Sequence, residues 1–428
     1  MAVFVLDRRG RPLMPCSEKR ARLMLERRRA RVHRVMPFVI RLTDRLLEES
    51  RLQPVRIKIE PGSKITGLAL VREDGESTAV LNLFELIHRG RQISEGLSAR
   101  SNFRRRRRSA NLRYRAPHYA NPARTSGWLP PSLRHRVDTT KSWVTRFIRW
   151  APVSGLANEL VRYDLAAAES DESAPDNEEH AEIAAHEIRA YLLDKWGRQC
   201  VYCDSDRQHL QIDPIDLRTA GEPARHISGL ILACTSCIAR RAGRDIGEFV
   251  TDRARLVRLR NWTNAPQRDR AAVDGTRSAI AQFLATTGLP VDLSSGGRTK
   301  WNRTRLALPK SPALDAVCVG AVTAVVGWRI PVIKIKCTGR GRYQRTLVNA
   351  YGFPRAYLMR NKRIHNVQTG DRVRATVPTG KKAGIHTGRV AVRSRGYFDV
   401  HKPDGPVTGI HHRYCVVLQR ADGYSYSM

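Results

Sequence analysis

The chain has 428 residues, and its 76 Lys and Arg against 40 Asp and Glu give a formal net charge of +36. A small domain stays soluble with a net charge of ~2–8, so this surplus calls for a polyanionic partner, of which nucleic acid is the expected one. Enough residues are hydrophobic (41%) to build packed cores, which excludes wholesale disorder, and no apolar run approaches the ~20 residues that cross a bilayer, nor does the N-terminus carry an apolar signal segment, so neither a membrane nor a secreted protein is expected.

In chain order, the first fifty residues read as a small basic α/β module: a strand over 2–6, a turn around Gly10, a helix over 17–29 and a strand over 37–42. Residues 55–60 alternate polar and apolar side chains as a strand does. Pro61, Gly62 and Ser63 then supply a turn, and further strands are expected over 66–72 and 80–88. Residues 99–115 are expected to be helical, with Phe103, Leu112 and Tyr114 interleaved so that one face can pack. Arg104, Arg105, Arg106, Arg107, Arg108, Arg113 and Arg115 would then track a phosphate backbone rather than form an idle solvated face. After a turn at 128–132, a helix over 133–149 points Val137, Trp143 and Phe147 inward. Acidic residues crowd 169–187, a block that repels itself and reads as a linker. Residues 270–330 read as helical, then turn-rich, then helical. From Val332 onward, short strands between Gly and Pro turns suggest a small barrel-like β-domain.

Two tight cysteine pairs, Cys200 with Cys203 and Cys234 with Cys237, are the strongest local signal. Without a secretory context, paired CxxC units favour zinc over disulfides, and four thiolates fill a tetrahedral sphere, so this zinc is structural. Cys16, Cys318, Cys337 and Cys415 read as buried small hydrophobes. Arg298, Lys300, Trp301 and Arg303 combine cations with an aromatic face, and so do Arg342, Tyr343, Arg345, Lys362, Arg363, Lys381 and Lys382. Singly, each is an ordinary solvated charge; together they suit phosphate contacts with base stacking.

A family resemblance is carried by segments in order. They are Arg11 to Pro15, Ile59 to Ser63, the arginine run, Gly127 to Ser132, Glu159 to Arg162, the cysteine pairs with Leu210 to Asp213, Gly296 to Asn302, Leu314 to Ala316 and Val377 to Lys382. Together they resemble IscB, the transposon-encoded RNA-guided nuclease family related to ancestors of type II CRISPR effectors. Only residues 165–187 look foreign to it. The resemblance implies an α/β fold: an RNase H-like (RuvC) core split in three segments, an inserted HNH-like zinc domain, an N-terminal PLMP module and a C-terminal small β-domain. The expected boundaries are 1–52 for the PLMP module, 53–98, 125–168 and 253–330 for the RuvC-like segments, and 99–124 for the bridge helix. An acidic linker at 169–187, the HNH-like domain at 188–252 and a C-terminal domain at 331–428, reading a motif beside the target, complete the division. The implied partners are an omega guide RNA, which selects sequence by base pairing, and double-stranded DNA. A monomeric ribonucleoprotein in the bacterial cytoplasm, on the nucleoid when bound to DNA, is the implied setting.

The departures from the family pattern bear on chemistry. In the HNH motif a base His follows an acidic residue, but here Asp213 is followed by Pro214, which has no titratable nitrogen. The motif's Asn before the second cysteine pair falls at Gly229, and the Asn or His after it falls at Ile238; neither side chain ligates a metal. His209 or His226 would need a fortuitous position to substitute. In the RuvC pattern the first carboxylate is Glu60 rather than Asp, Glu159 and Asp315 are present, and the His three residues before that Asp is Pro312. Two-metal hydrolysis needs carboxylates placed to a fraction of an ångström, and a shift of ~1 Å can cost about 10²-fold in rate. The expectation is therefore an RNA-guided DNA binder, dead at HNH and impaired or dead at RuvC, with Mg²⁺ relevant only if RuvC retains activity. A slow RuvC nickase and a protein that only binds its noncoding RNA are the alternatives.

Overall fold

The computed structural model describes residues 1–109, 125, 127–161, 178–206, 209–214, 230–264, 270–339, 346–349, 353–357, 363–393 and 395–428. Arg113, Arg115, Gly229, Arg342, Tyr343, Arg345, Lys362 and the acidic stretch 169–177 lie outside these residues, as do the side chains of Arg107 and Arg108. The fold is mixed α/β with several sheets.

The N-terminal sheet is ordered β2-β1-β4-β3, from β1 (Val3–Leu6), β2 (Pro12–Cys16), β3 (Ala30–Arg34) and β4 (Val39–Leu42), with helix α1 (Glu18–Glu26) between β2 and β3. Ser17 caps α1 through its side chain. Strands β2 and β3 were not expected. Each carries one buried residue among exposed or half-buried ones, so the alternation that marks a strand is weak. Period two is clear in β1: Val3 and Val5 enter the module's own core, whereas Phe4 and Leu6 enter the main core.

That main core sits on an eight-stranded sheet ordered β11-β8-β5-β6-β7-β13-β23, with β12 beside β7. Its strands are β5 (Val55–Glu60), β6 (Ile65–Glu73), β7 (Thr78–Ile87), β8 (Val153–Val161), β11 (Val291–Ser295), β12 (Val325–Val326), β13 (Val332–Cys337) and β23 (Tyr424–Ser427). Strand β5 runs antiparallel to β6 and parallel to β8, and β7 runs parallel to β13. Both faces are covered. Ile57, Ile59, Leu68, Leu70, Phe84 and Leu86 face one core; Ala69, Val71 and Leu83 face another.

Helix α2 (Gly90–Ser109) precedes α3 (Pro131–Trp150), which buries Val137, Trp143 and Phe147 as expected. Phe147 packs 4.5 Å from Phe84 and 6.0 Å from Phe4, centroid to centroid. Helix α4 (Glu178–Lys195) occupies part of the stretch expected to be a linker. Its later residues bury Ala190 and Leu192, and this apolar face overrides the repulsion of the acidic first turns. A hairpin of β9 (Leu210–Pro214) and β10 (Leu230–Cys234) is followed by α5 (Thr235–Arg241), α6 (Ile246–Phe249), α7 (Arg253–Asn264) and α8 (Arg270–Ala285). The turn-rich stretch expected next holds β11 instead, a polar edge strand parallel to β8. Helices α9 (Gly296–Arg305) and α10 (Pro312–Val317) come next.

The segment from Val332 is not one separate β-domain. Its first strand, β13, and its last, β23, pair antiparallel in the main sheet. Asp422 fixes this return, accepting from Arg34 at 2.5 Å and from Arg146 at 2.8 Å. Two short hairpins lie between: β14 (Thr346–Val348) with β15 (Pro354–Tyr357), and β16 (Arg363–Ile364) with β17 (Val367–Gln368). An antiparallel five-stranded sheet follows, ordered β21-β20-β19-β18-β22, from β18 (Arg372–Val377), β19 (Gly384–Val392), β20 (Tyr397–Lys402), β21 (Gly405–His411) and β22 (Cys415–Gln419). Among the described residues no helix is long and apolar enough to cross a membrane.

One close approach positions the candidate site. A Cβ added at Gly67 in β6 would lie 1.7 Å from the Pro312 carbonyl oxygen, so only glycine lets α10 dock on the sheet there. Gly67→Ala should lower stability by ~1–3 kcal/mol through overpacking. Thermal denaturation checks this; an unchanged midpoint would contradict the docking.

Candidate functional site

Glu60 ends β5 and Glu159 lies in β8, and the parallel register Ile59 to Asn158 makes them successive neighbours across the pair. Asp315 comes from α10, whose N-terminus is set by Ser311, its hydroxyl accepting from the Leu314 amide at 3.2 Å, with Pro312 in the first turn. Gly67, opposite Glu60 in β6, allows that turn to press on the sheet. Three residues far apart in sequence thus meet at one end of the strands. Burial first, and then the charges of Glu159 and Asp315, push the Glu60 carboxyl up to about 8, against an opposing pull from Arg277 and the Gly67 amide.

The other two carboxylates have guanidinium partners. Arg277 of α8 donates to Glu159 Oε1, with both side chains buried. Arg303 of α9 donates from Nη1 to Asp315 Oδ1 at 2.5 Å. Asn302 beside it donates from Nδ2 to the carbonyls of Cys318 and Gly320, both at 2.9 Å, fastening α9 to the end of α10. Carboxylate oxygens are the hard donors that Mg²⁺ takes. Among the described residues, however, Glu60, Glu159 and Asp315 are not one of the groups whose ligand atoms come within 4.8 Å of one another. As placed, one carboxyl is raised to about 8 and the other two are each held by an arginine.

The cysteine quartet, by contrast, has a geometry that could hold a metal ion. Its four sulfurs lie within 4.8 Å of one another, none in a disulfide. Cys203 and Cys234 Sγ are 3.8 Å apart, and the Cys234 amide donates to Cys200 Sγ at 3.3 Å. A tetrahedron with Zn–S bonds of ~2.3 Å has an edge of ~3.8 Å, so the spacing fits zinc. Cys234 ends β10 and Cys237 lies in α5, which brings the second pair to the first.

Near this quartet Asp213 is engaged through one carboxylate oxygen. Its Oδ2 accepts from the Tyr202 hydroxyl at 2.7 Å and from Arg241 Nη1 at 2.8 Å. The same Arg241 nitrogen donates to the Pro214 carbonyl at 2.6 Å, and Arg241 is only 2% exposed. Pro214 pairs with Leu230 at the end of the hairpin, and Ile238 packs half-buried against the zinc-side core.

The basic residues divide. Arg104, Arg105 and Arg106 are exposed on α2, and so is Phe103, which therefore does not pack as expected. Arg363, Lys381 and Lys382 are exposed as well, although Lys382 donates to the Thr408 carbonyl at 2.6 Å. In contrast, Arg298, Lys300, Trp301 and Arg303 are half-buried in α9, with the Arg305 guanidinium 4.7 Å over the Trp301 ring and Arg303 held by Asp315. Arg303 is thus half-buried and occupied by an internal ion pair. Of the four remaining cysteines, Cys318 and Cys337 are buried as expected, while Cys16 and Cys415 are only half-buried. Sequence reasoning missed Arg241 and Arg277, whose roles depend on long-range contacts. It also missed a cavity of about 370 Å³ beside Lys382, walled by Tyr397, His411, Arg413 and Tyr414.

A family model described as "RRXRR protein" matches residues 3–179, a span that includes the arginine run. No curated protein matches the chain. Among solved structures, Streptococcus thermophilus Cas9 in complex with the AGAA PAM is 10% identical with a TM-score of 0.24, the match covering 61% of this chain and 32% of that one. The same enzyme with the GGAA PAM gives 10% and 0.23, with the same coverage. The Type II-C Cas9 of Actinomyces naeslundii is 13% identical with a TM-score of 0.19, covering 49% of this chain and 29% of that one. The chain thus spans about a third of the length of these structures.

Two consequences can be measured. A carboxyl raised from 4.5 to about 8 on folding favours the folded state in its protonated form, so its contribution is complete at low pH and is lost as pH rises through about 8. Glu60→Gln should flatten the fall in melting temperature over that window, a difference on the order of a few kcal/mol at the alkaline end; identical slopes would contradict the burial of Glu60. Asp213→Ala leaves Arg241 buried without its anion and should cost ~3–5 kcal/mol in chemical denaturation without Mg²⁺, where removing an idle metal ligand would be neutral or stabilising.

Proposed function

We propose that the chain is an RNA-guided DNA-binding protein of IscB descent that occupies its target without cutting it. The observation that carries this reading is the state of the carboxylates that the resemblance assigns to cleavage. Glu159 and Asp315 each hold an arginine, Glu60 is protonated near neutrality, and Asp213 is tied to Arg241 and Tyr202. Cleavage of a phosphodiester by this kind of centre depends on metal-bound oxygens and a base. Here the ligand positions carry internal ion pairs, and the positions of the base His and the RuvC His are Pro214 and Pro312.

Binding rests on different residues. The exposed arginines of α2, with the net charge of +36, suit a phosphate backbone held through many weak contacts. The cavity beside Lys382 adds aromatic rings to cations, as stacking on nucleobases requires. In this reading an omega guide RNA selects the double-stranded DNA by pairing, a monomeric ribonucleoprotein results, and its role is to block a chosen sequence as a transcriptional repressor does.

One observation favours a second reading. Glu60, Glu159 and Asp315 do converge at one end of the sheet, so a slow nickase remains an outcome of the test. Protein copurified with its own RNA is mixed in Mg²⁺ with a plasmid library carrying a guide-matched site and randomised flanks, and bound and cut plasmids are counted separately. Intact plasmid retained only with the matched site is the expected result. Nicked plasmid that disappears in Glu159→Ala would replace the binder with an enzyme, and retention indifferent to the guide would reduce it to a noncoding-RNA-binding protein.

A further inference from the structure

Strands β7 and β13 run parallel, with Ile87 beside Lys336 as the last registered pair. The next residue of each chain is His88 and Cys337, so the two fall side by side. Both follow residues of the main-core face by two positions, Leu86 and Ile335, and Cys337 itself belongs to that core. Helix α3 covers this face and supplies His135, whose ring lies 6.2 Å from that of His88, edge to face. The ligand atoms of His88, His135 and Cys337 all lie within 4.8 Å of one another. Three ligand-type residues from three separate segments have thus converged at one corner, Cys337 buried and the two histidines half-buried.

We propose that His88, His135 and Cys337 form a second metal site, distinct from the cysteine quartet, that takes a zinc-class divalent cation through two imidazole nitrogens and one thiolate. An N₂S donor set is borderline-soft and belongs to zinc rather than to magnesium or calcium. The surroundings supply the outer contacts such a site needs. Thr66 Oγ1 stands 2.8 Å from His88 Nε2 and can accept its proton, leaving Nδ1 as the ligand. Thr139 Oγ1, 3.1 Å from that Nδ1 and also hydrogen-bonded to the Cys337 thiol, gives up its contact with the ring when the metal binds. His135 Nε2 accepts from the Arg89 amide at 3.1 Å, and ligation through that atom exchanges this bond for one to the metal. Burial opposes ionisation of Cys337, while the Arg89 charge favours it. With three protein ligands the fourth position is left to water.

The place of the site gives it a purpose. Helix α2 starts at Gly90, two residues after His88, and carries the exposed arginines. A metal joining β7, β13 and α3 at that point fixes the root of the arginine-rich helix to the sheet.

The test is the zinc content of the full-length chain, equilibrated in zinc-buffered solution and stripped of loosely held ions. Two zinc per chain are expected, falling to one in Cys337→Ser and also, through loss of the other ion, to one in Cys234→Ser. One zinc in the unaltered chain, or two retained in Cys337→Ser, overturns the proposal. Should that variant fail to fold, cobalt titration of the unaltered chain decides. Two equivalents with two distinct visible spectra, one of a four-thiolate site and one of a single-thiolate site, support the second site; a single four-thiolate spectrum removes it.

Discussion

Three carboxylates gathered at the buried end of a sheet cannot all remain ionised and unpaired, and the rest of this centre follows from that constraint. Two unit charges ~4 Å apart interact by about 4 kcal/mol even at an effective dielectric constant of ~20. A metal would absorb that repulsion; here arginines do. Arg277 neutralises Glu159, Arg303 neutralises Asp315, and Glu60, left without a strong partner, keeps its proton to about pH 8.

The hairpin next to the cysteine quartet solves the same problem in the same way. Asp213 faces inward from β9, and Arg241, reaching back from α5, meets it with the help of Tyr202. A buried arginine is tolerated only when its donors are satisfied, and Arg241 binds the Pro214 and Arg244 carbonyls as well. The quartet spans the hairpin and α5, so four sulfurs able to hold one ion stand near this buried polar group.

Much of this was legible in the sequence because it depends on local spacing. The alternation in 55–60, the inward residues of α3 and the two cysteine pairs each announce themselves within a few positions. What stayed hidden depends on contacts between distant segments. Arg277, Arg241 and Arg303 look like any other arginine in a chain this basic, and only the fold separates those that pair internally from those that face solvent. Strand β11 escaped because Val291 and Leu293 are flanked by Asp292, Ser294 and Ser295, a polar edge pattern indistinguishable from a loop. Strand β23 escaped because its partner lies nearly a hundred residues earlier, and its tyrosines gain their place from Trp143 of α3, with Tyr424 5.3 Å from that ring. The helix over Glu178–Lys195 was hidden for a related reason: its buried residues, Ala190 and Leu192, lie beyond the acidic stretch 169–187 that dominates the local charge.

The separation of arginines into two populations links structure to function. Internal ones act as fixed counterions, each held by a carboxylate or by carbonyls, and their charge is not available to a partner. Exposed ones, such as Arg104, Arg105 and Arg106, stand on a helix that begins at the corner formed by His88, His135 and Cys337. Phosphate binding draws only on the second population, and it needs a rigid root more than a reactive centre, because many weak contacts add up only when their spacing is held. In the binding role proposed above, the internal ion pairs and the affinity for a polyanion are independent, since the two depend on different side chains.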